Sequence, residues 1–81
     1  MGNLIYILNN GNSKIKEYNY KKILIYEGEY LNGKKNGKGK KYCYDGKLIF
    51  DGEYKNGKRN GKGNEYNSYN SNLMFEGEYI S

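Results

Sequence analysis

The chain has 81 residues, 36% of them hydrophobic and 28% charged, which makes at most one small domain with little aliphatic core to bury. It carries one cysteine, Cys43, and no histidine, so an internal disulfide framework, a histidine-based zinc site and any Ser-His or Cys-His nucleophile pair are excluded. A net charge of +5 leaves anionic partners open, and 11 tyrosines beside 2 phenylalanines and no tryptophan mean that any core is built from tyrosine rings.

In chain order, the apolar and β-branched run from Leu4 to Leu8 predicts a strand. No apolar run is longer, and this one falls far short of the roughly 18 to 20 residues of a membrane span or the core of a signal peptide. Met1-Gly2 lacks the Ser or Thr that N-myristoylation wants where Tyr6 stands. These features predict a soluble, cytoplasmic protein. Leu8-Asn9-Asn10-Gly11 falls where Tyr30-Leu31-Asn32-Gly33 falls further on, and Tyr18 matches Tyr42, so residues 1–25 read as a degenerate N-terminal repeat or cap.

From Tyr26 the chain repeats itself. Tyr-Glu-Gly-Glu-Tyr-Leu-Asn-Gly-Lys-Lys-Asn-Gly-Lys-Gly-Lys-Lys-Tyr ends at Tyr42, and Phe-Asp-Gly-Glu-Tyr-Lys-Asn-Gly-Lys-Arg-Asn-Gly-Lys-Gly-Asn-Glu-Tyr runs from Phe50 to Tyr66. A third copy begins with Phe-Glu-Gly-Glu-Tyr at Phe75, giving units at 26–49 and 50–74 and a partial one at 75–81. Each opens on strict alternation: Leu24, Tyr26, Gly28 and Tyr30 on one face, Glu27 and Glu29 on the other. Leu48, Phe50, Gly52, Tyr54 and Leu73, Phe75, Gly77, Tyr79 repeat the pattern around Asp51, Glu53 and Glu76, Glu78. The paired Asn-Gly dipeptides that follow predict chain reversals centred on 32–38 and 56–62, with second strands at 39–44 and 63–66. No helix is expected between 24 and 80. Glycine within a strand marks a close approach, so Gly28, Gly39, Gly52, Gly63 and Gly77 predict slots for neighbouring rings.

This spacing resembles the MORN repeat (membrane occupation and recognition nexus). Its motif, an aromatic-x-Gly-x-aromatic followed by Asn-Gly and Gly-x-Gly, is matched by Tyr26, Gly28, Tyr30, Asn32, Gly33, Gly37 and Gly39, and again by Phe50, Gly52, Tyr54, Asn56, Gly57, Gly61 and Gly63. The match covers about residues 24 to 80. Tyrosine stands where the second aromatic is commonly tryptophan, and the linkers after Tyr42 and Tyr66 are slightly long. The resemblance implies an all-β fold, an elongated twisted antiparallel sheet of stacked hairpins with an aromatic groove. It also implies a role as scaffold, dimerisation module or lipid-headgroup binder, with no catalysis in the repeat.

Gly28 to Lys34 and Gly52 to Lys58 imitate the glycine and lysine spacing of a phosphate-binding loop, but Lys35 and Arg59 follow instead of Ser or Thr, and no helix begins there. The strand carboxylates and Asp45 face lysines such as Lys38, Lys40 and Lys62 as surface pairs, and Cys43 has no activating base. No enzyme activity, cofactor or metal is expected. The expected function is a non-catalytic protein-interaction or scaffold module, with Tyr26, Tyr30, Tyr42, Phe50, Tyr54, Tyr66, Phe75 and Tyr79 as the partner-binding rings. One alternative is peripheral binding to anionic phospholipid through Lys34, Lys35, Lys38, Lys58, Arg59 and Lys62 at basic hairpin tips. Another is a structural piece of a longer repeat array. A protein partner or homodimer is expected to use the edge strand 73–81, which lacks proline and lysine; nucleic acid is not an expected partner.

Overall fold

Period-two alternation becomes strand after strand in the computed structural model, which describes residues 4–5 and 12–80. Among these are seven strands and no helix: β1 Leu4–Ile5, β2 Asn12–Tyr18, β3 Leu24–Leu31, β4 Lys34–Tyr42, β5 Leu48–Lys55, β6 Lys58–Tyr66 and β7 Leu73–Tyr79. Every strand pairs antiparallel with its neighbours in chain order, giving one meander sheet, β1 through β7. Of the strand expected at Leu4 to Leu8, β1 covers Leu4–Ile5; residues 6–8 lie outside the described residues. The sheet is a single thin layer within an envelope of 35 × 31 × 16 Å.

The hairpins reverse more tightly than expected. Asn32 and Gly33 have φ of 51° and 82°, and Asn56 and Gly57 have 52° and 85°. Two successive positive φ angles make the two-residue turn whose twist suits a hairpin, so the second strands begin at Lys34 and Lys58, not at Gly39 and Gly63. The second Asn-Gly of each copy is no part of the reversal and lies inside β4 or β6. There the register jumps: Gly28 faces Gly39 but Tyr30 faces Lys35, and Gly52 faces Gly63 but Tyr54 faces Arg59. Asn36, Gly37 and Lys38 thus oppose Glu29 alone, a bulge made possible by Gly37 at φ 103°, with Gly61 at 99° in the next copy.

Bulge and turn also bind the copies together. Asn36 Oδ1 accepts the Asn56 N–H at 3.2 Å, and the Gly57 N–H donates to the Lys35 carbonyl at 2.8 Å, so the Asn56-Gly57 turn is docked on the bulge before it. At the opposite end, the loops around residues 19–23, 43–47 and 67–72 are closed by side chains that imitate a backbone turn. Asn19 Oδ1 accepts from the Lys21 and Ile23 N–H groups, Asp45 Oδ1 from Lys47, and Asn67 Oδ1 from Tyr69.

Directly opposed residues of an antiparallel pair share a face, and one face holds the core. Tyr26, Phe50 and Ile15 are fully buried, Tyr30 and Tyr54 nearly so. The rings form one zigzag, Tyr30–Tyr26–Tyr54–Phe50–Tyr79–Phe75, with centroids 5.4–5.8 Å apart and planes at 72–84°. Such edge-to-face contacts contribute about 0.5–1.5 kcal/mol each beyond the area they bury. Glycine creates the room: a Cβ on Gly63 would lie 2.6 Å from Phe50 Cε1, and one on Gly39 would lie 2.8 Å from Tyr26 Cζ. The slots expected for rings are occupied by rings.

Candidate functional site

On the aromatic face, cations complete the packing. Residues opposite Tyr30 and Tyr54 are Lys35 and Arg59. Lys35 Nζ sits 4.6 Å from the Tyr26 centroid and 5.8 Å from that of Tyr54; Arg59 Cζ sits 4.0 Å from Phe50 and 5.7 Å from Tyr79. The ring faces attract the charge and the side-chain stems cover the rings. Arg59 also donates to Glu65 Oε2 at 3.2 Å, and the Tyr79 hydroxyl donates to the same oxygen. In the preceding copy Lys41 holds the position of Glu65, opposite both Tyr26 and Phe50. Burial, with Lys41 nearby, lowers the Lys35 pKa from its ordinary value, and Glu17 opposes the shift.

The same burial raises the tyrosine pKa values. Tyr26 is pushed up chiefly by desolvation and then by the neighbouring Tyr54, and Tyr30 and Tyr54 move the same way for the same first reason. The Tyr26 hydroxyl has no hydrogen-bond partner among the described residues. The described residues hold no group of three metal-ligating side chains. Cys43 donates its thiol proton to Asp45 Oδ1 at 2.5 Å in an exposed loop, and that bond is the first cause of a lowered Asp45 pKa. No helix of the described residues is long and apolar enough to cross a membrane.

The opposite face is striped by charge. Lys14 and Lys16 on β2 oppose Glu29 and Glu27 on β3. Glu27 opposes Lys40 on β4, and Lys38 and Lys40 oppose Glu53 and Asp51 on β5. Asp51 then opposes Asn64 on β6, and Lys62 and Asn64 oppose Glu78 and Glu76 on β7. Surface pairing of this kind was legible in the sequence, and Lys16–Glu27 at 4.0 Å is one such pair. A second job of the glutamates was not. Glu29 Oε1 accepts the Lys38 N–H at 3.1 Å, and Glu53 Oε1 accepts the Lys62 N–H at 3.1 Å. Each reaches across the bulge glycine and satisfies a backbone donor that the bulge frees from the ladder.

The six candidate anion-binding residues do not converge. Lys35 and Arg59 lie against the rings, half-buried, while Lys38 and Lys62 belong to the striped face. Lys34 and Lys58 remain exposed beside the turns, opposite Leu31 and Lys55. The eight candidate partner-binding rings also separate. Tyr26, Tyr30, Phe50 and Tyr54 are core, closed off by neighbouring rings and by Lys35 and Arg59. Tyr42 and Tyr66 end their strands half-buried, opposite Leu48 and Leu73, outside the ring zigzag. Among the described strand residues, the most exposed apolar side chains are on β7, where Leu73 is 52%, Met74 59% and Phe75 44% exposed, with Tyr79 half-buried beside them; in the loops, Tyr20, Tyr44 and Tyr69 are 71%, 78% and 90% exposed.

A model of the MORN repeat matches residues 26–47 and 50–69, more than half of the chain and the same two copies that build β3 to β6. No curated protein matches it.

Proposed function

Because the chain belongs to the MORN repeat family, a family of repeat modules for protein or membrane-lipid interactions, we propose that it is a non-catalytic protein-interaction module. It receives its partner at the β7 edge of the sheet. One observation supports this reading above the others: the uncovered apolar surface. Phe50 in β5 is fully buried, whereas the matching Phe75 in β7 lies open together with Leu73 and Met74. Apolar side chains left uncovered on a strand otherwise lined by charge mark a contact surface. Unpaired strand edges accept added strands, and aromatic anchors dominate the energy of the contacts they make.

The competing reading, an anionic membrane contact, rests on the exposed Lys34 and Lys58 beside the turns. It is weakened by the division of the basic residues between two faces, because a flat bilayer can meet only one of them. Two measurements separate the readings. Sedimentation with phosphatidylserine-containing vesicles at about 0.15 M salt, where screening reaches roughly 8 Å, should leave the chain in solution. Light scattering should report association, with itself or with an added strand, that Met74→Glu abolishes. Co-sedimentation that is lost in Lys34→Glu/Lys58→Glu, from a chain that scatters as a monomer throughout, would transfer the function to the membrane.

A further inference from the structure

The β7 edge specifies its occupant in more detail than an apolar patch does, and this inference rests on the interaction reading above. β7 pairs only with β6, so its outer row of backbone donors and acceptors faces no strand of the described residues. The two strands that share its motif, β3 and β5, each have a neighbour on that side, and those neighbours are alike. Opposite Gly28 and Gly52 stands a glycine; opposite Tyr30 and Tyr54 stands a cation; opposite the first acidic residue stands Lys40 or Asn64. The second glutamate reaches over a bulge glycine to take the N–H of a lysine.

β7 presents the matching half of every one of these contacts. Glu78 follows Gly77 as Glu29 follows Gly28, yet among the described residues its carboxylate meets no bulge. Glu76 has Asn64 on one side and no strand of the described residues on the other. The Phe75 ring covers Gly77, as Phe50 covers Gly52 and Gly63, and no second glycine of the described residues completes its slot.

We propose that the β7 edge binds an antiparallel strand of another chain with the pattern cation-x-Gly-Lys-Gly-Lys. Its central glycine settles against Gly77 beneath the Phe75 ring. Glu78 accepts the N–H of the first lysine across the bulge, the second lysine opposes Glu76, and the leading cation covers Tyr79. Charge argues against two β7 strands meeting about a two-fold axis centred on Gly77. That pairing sets Glu76 against Glu78 of the other copy twice over, and like charges directly opposed are destabilising.

The probe is a fluorescent peptide with the sequence of residues 34–42, added to the full chain. Fluorescence anisotropy should report binding, and amide exchange should slow within residues 73–80 and not along β2. Reversing both carboxylates in Glu76→Lys/Glu78→Lys, at exposed positions that leave the core untouched, should weaken binding about tenfold, since each opposed charge pair is worth up to about 1 kcal/mol. A peptide with valine in place of the glycine that corresponds to Gly39 should bind as poorly. Equal binding of a scrambled peptide of the same composition, or protection outside residues 73–80, would overturn the proposal. So would the absence of binding. If the peptide fails while Met74→Glu still abolishes association, the edge is an interaction site for a strand of different chemistry.

Discussion

Phe-Asp-Gly-Glu-Tyr at 50–54 and Phe-Glu-Gly-Glu-Tyr at 75–79 differ by one methylene, yet they make two different regions of the molecule. Phe50 is fully buried, between Tyr54 and Tyr79 and beneath the Arg59 guanidinium; Phe75 touches Tyr79 alone among the rings and is 44% exposed. Nothing in the motif itself distinguishes them. Burial in a single-layer sheet is supplied by the strands on either side, so the same five residues are core when flanked twice and partly exposed when flanked once.

Truncating the rings exposes the difference most sharply. Phe50→Ala should cost about 4 kcal/mol, within the range for losing a buried aromatic, enough to unfold most of a small domain whose total stability is only some 5–10 kcal/mol. Phe75→Ala should cost about 1 kcal/mol, since the side chain it removes is already half in water. Urea titration of both variants measures the two losses. Equal losses would mean that β7 is as fully packed in solution as β5.

Glycine replacement comes next in size. A Cβ on Gly52 would stand 2.6 Å from both Gly63 Cα and the Lys62 carbonyl oxygen, backbone atoms that cannot step aside. One on Gly77 would have the Phe75 ring as its nearest neighbour, at 2.8 Å, and that ring is 44% exposed. Gly52→Val should cost about 3 kcal/mol and Gly77→Val about 1 kcal/mol, at the high and low ends of overpacking penalties. Thermal melts of the two variants decide it, and a Gly77→Val loss as large as that of Gly52→Val would place a strand against β7.

High pH should unfold the flanked region. Tyr26, Tyr30 and Tyr54 have folded-state pKa values raised above the ordinary value of about 10. The unfolded chain loses these protons first, so the stability they contribute is fully present below about pH 10 and is lost as pH rises towards their folded-state values. Lys35 acts in the opposite sense, because its lowered pKa makes folding easier as it loses its proton, but it is one group against four, since burial and Glu65 raise Tyr79 on β7 as well. The expected outcome is a melting temperature that falls above about pH 10, with late tyrosinate absorbance appearing together with loss of β-structure. Tyrosinate absorbance that is complete while the sheet persists would show the three rings to be accessible.

How much of this was legible beforehand follows from which interactions are local. Alternation and glycine placement disclosed the strands, the faces and the ring slots, because period two and the absence of a Cβ act within a strand or between adjacent ones. The Asn-Gly dipeptides were ambiguous. Two per copy read as one long reversal, and only the register shows that Asn32-Gly33 turns the chain while Asn36-Gly37 makes a bulge. Asn36 bonding the next turn, and Glu29 bonding Lys38 across the bulge, could not be read without that register. Lys35 and Arg59 looked like exposed tips for the same reason: moving the turn two residues earlier places them within the strand, over the rings. The candidate contact surface was half legible, since the sequence marks aromatic residues without saying which of them a neighbouring strand will cover.

The smallest effect concerns the one ring position at which the copies differ chemically, Tyr26 against Phe50. Both rings are buried over paired glycines, but the Tyr26 hydroxyl is buried with no hydrogen-bond partner among the described residues. A buried hydroxyl without a partner costs roughly 1–3 kcal/mol of desolvation, and the packing of its oxygen against Gly28 and Gly39 returns part of that. Tyr26→Phe should therefore leave stability unchanged or raise it by up to about 1 kcal/mol, and should delay the alkaline transition by removing a group whose ionisation opposes folding. Phe50→Tyr, the reverse exchange, should lose about 1–2 kcal/mol as a hydroxyl is forced against Gly63 without a partner. Melts at pH 7 and pH 10.5 measure both variants. Destabilisation by Tyr26→Phe of more than about 1 kcal/mol would mean that the hydroxyl is hydrogen-bonded after all, and that the tyrosine at this position is a polar anchor for β3 and β4 and not a phenylalanine carrying a buried excess oxygen.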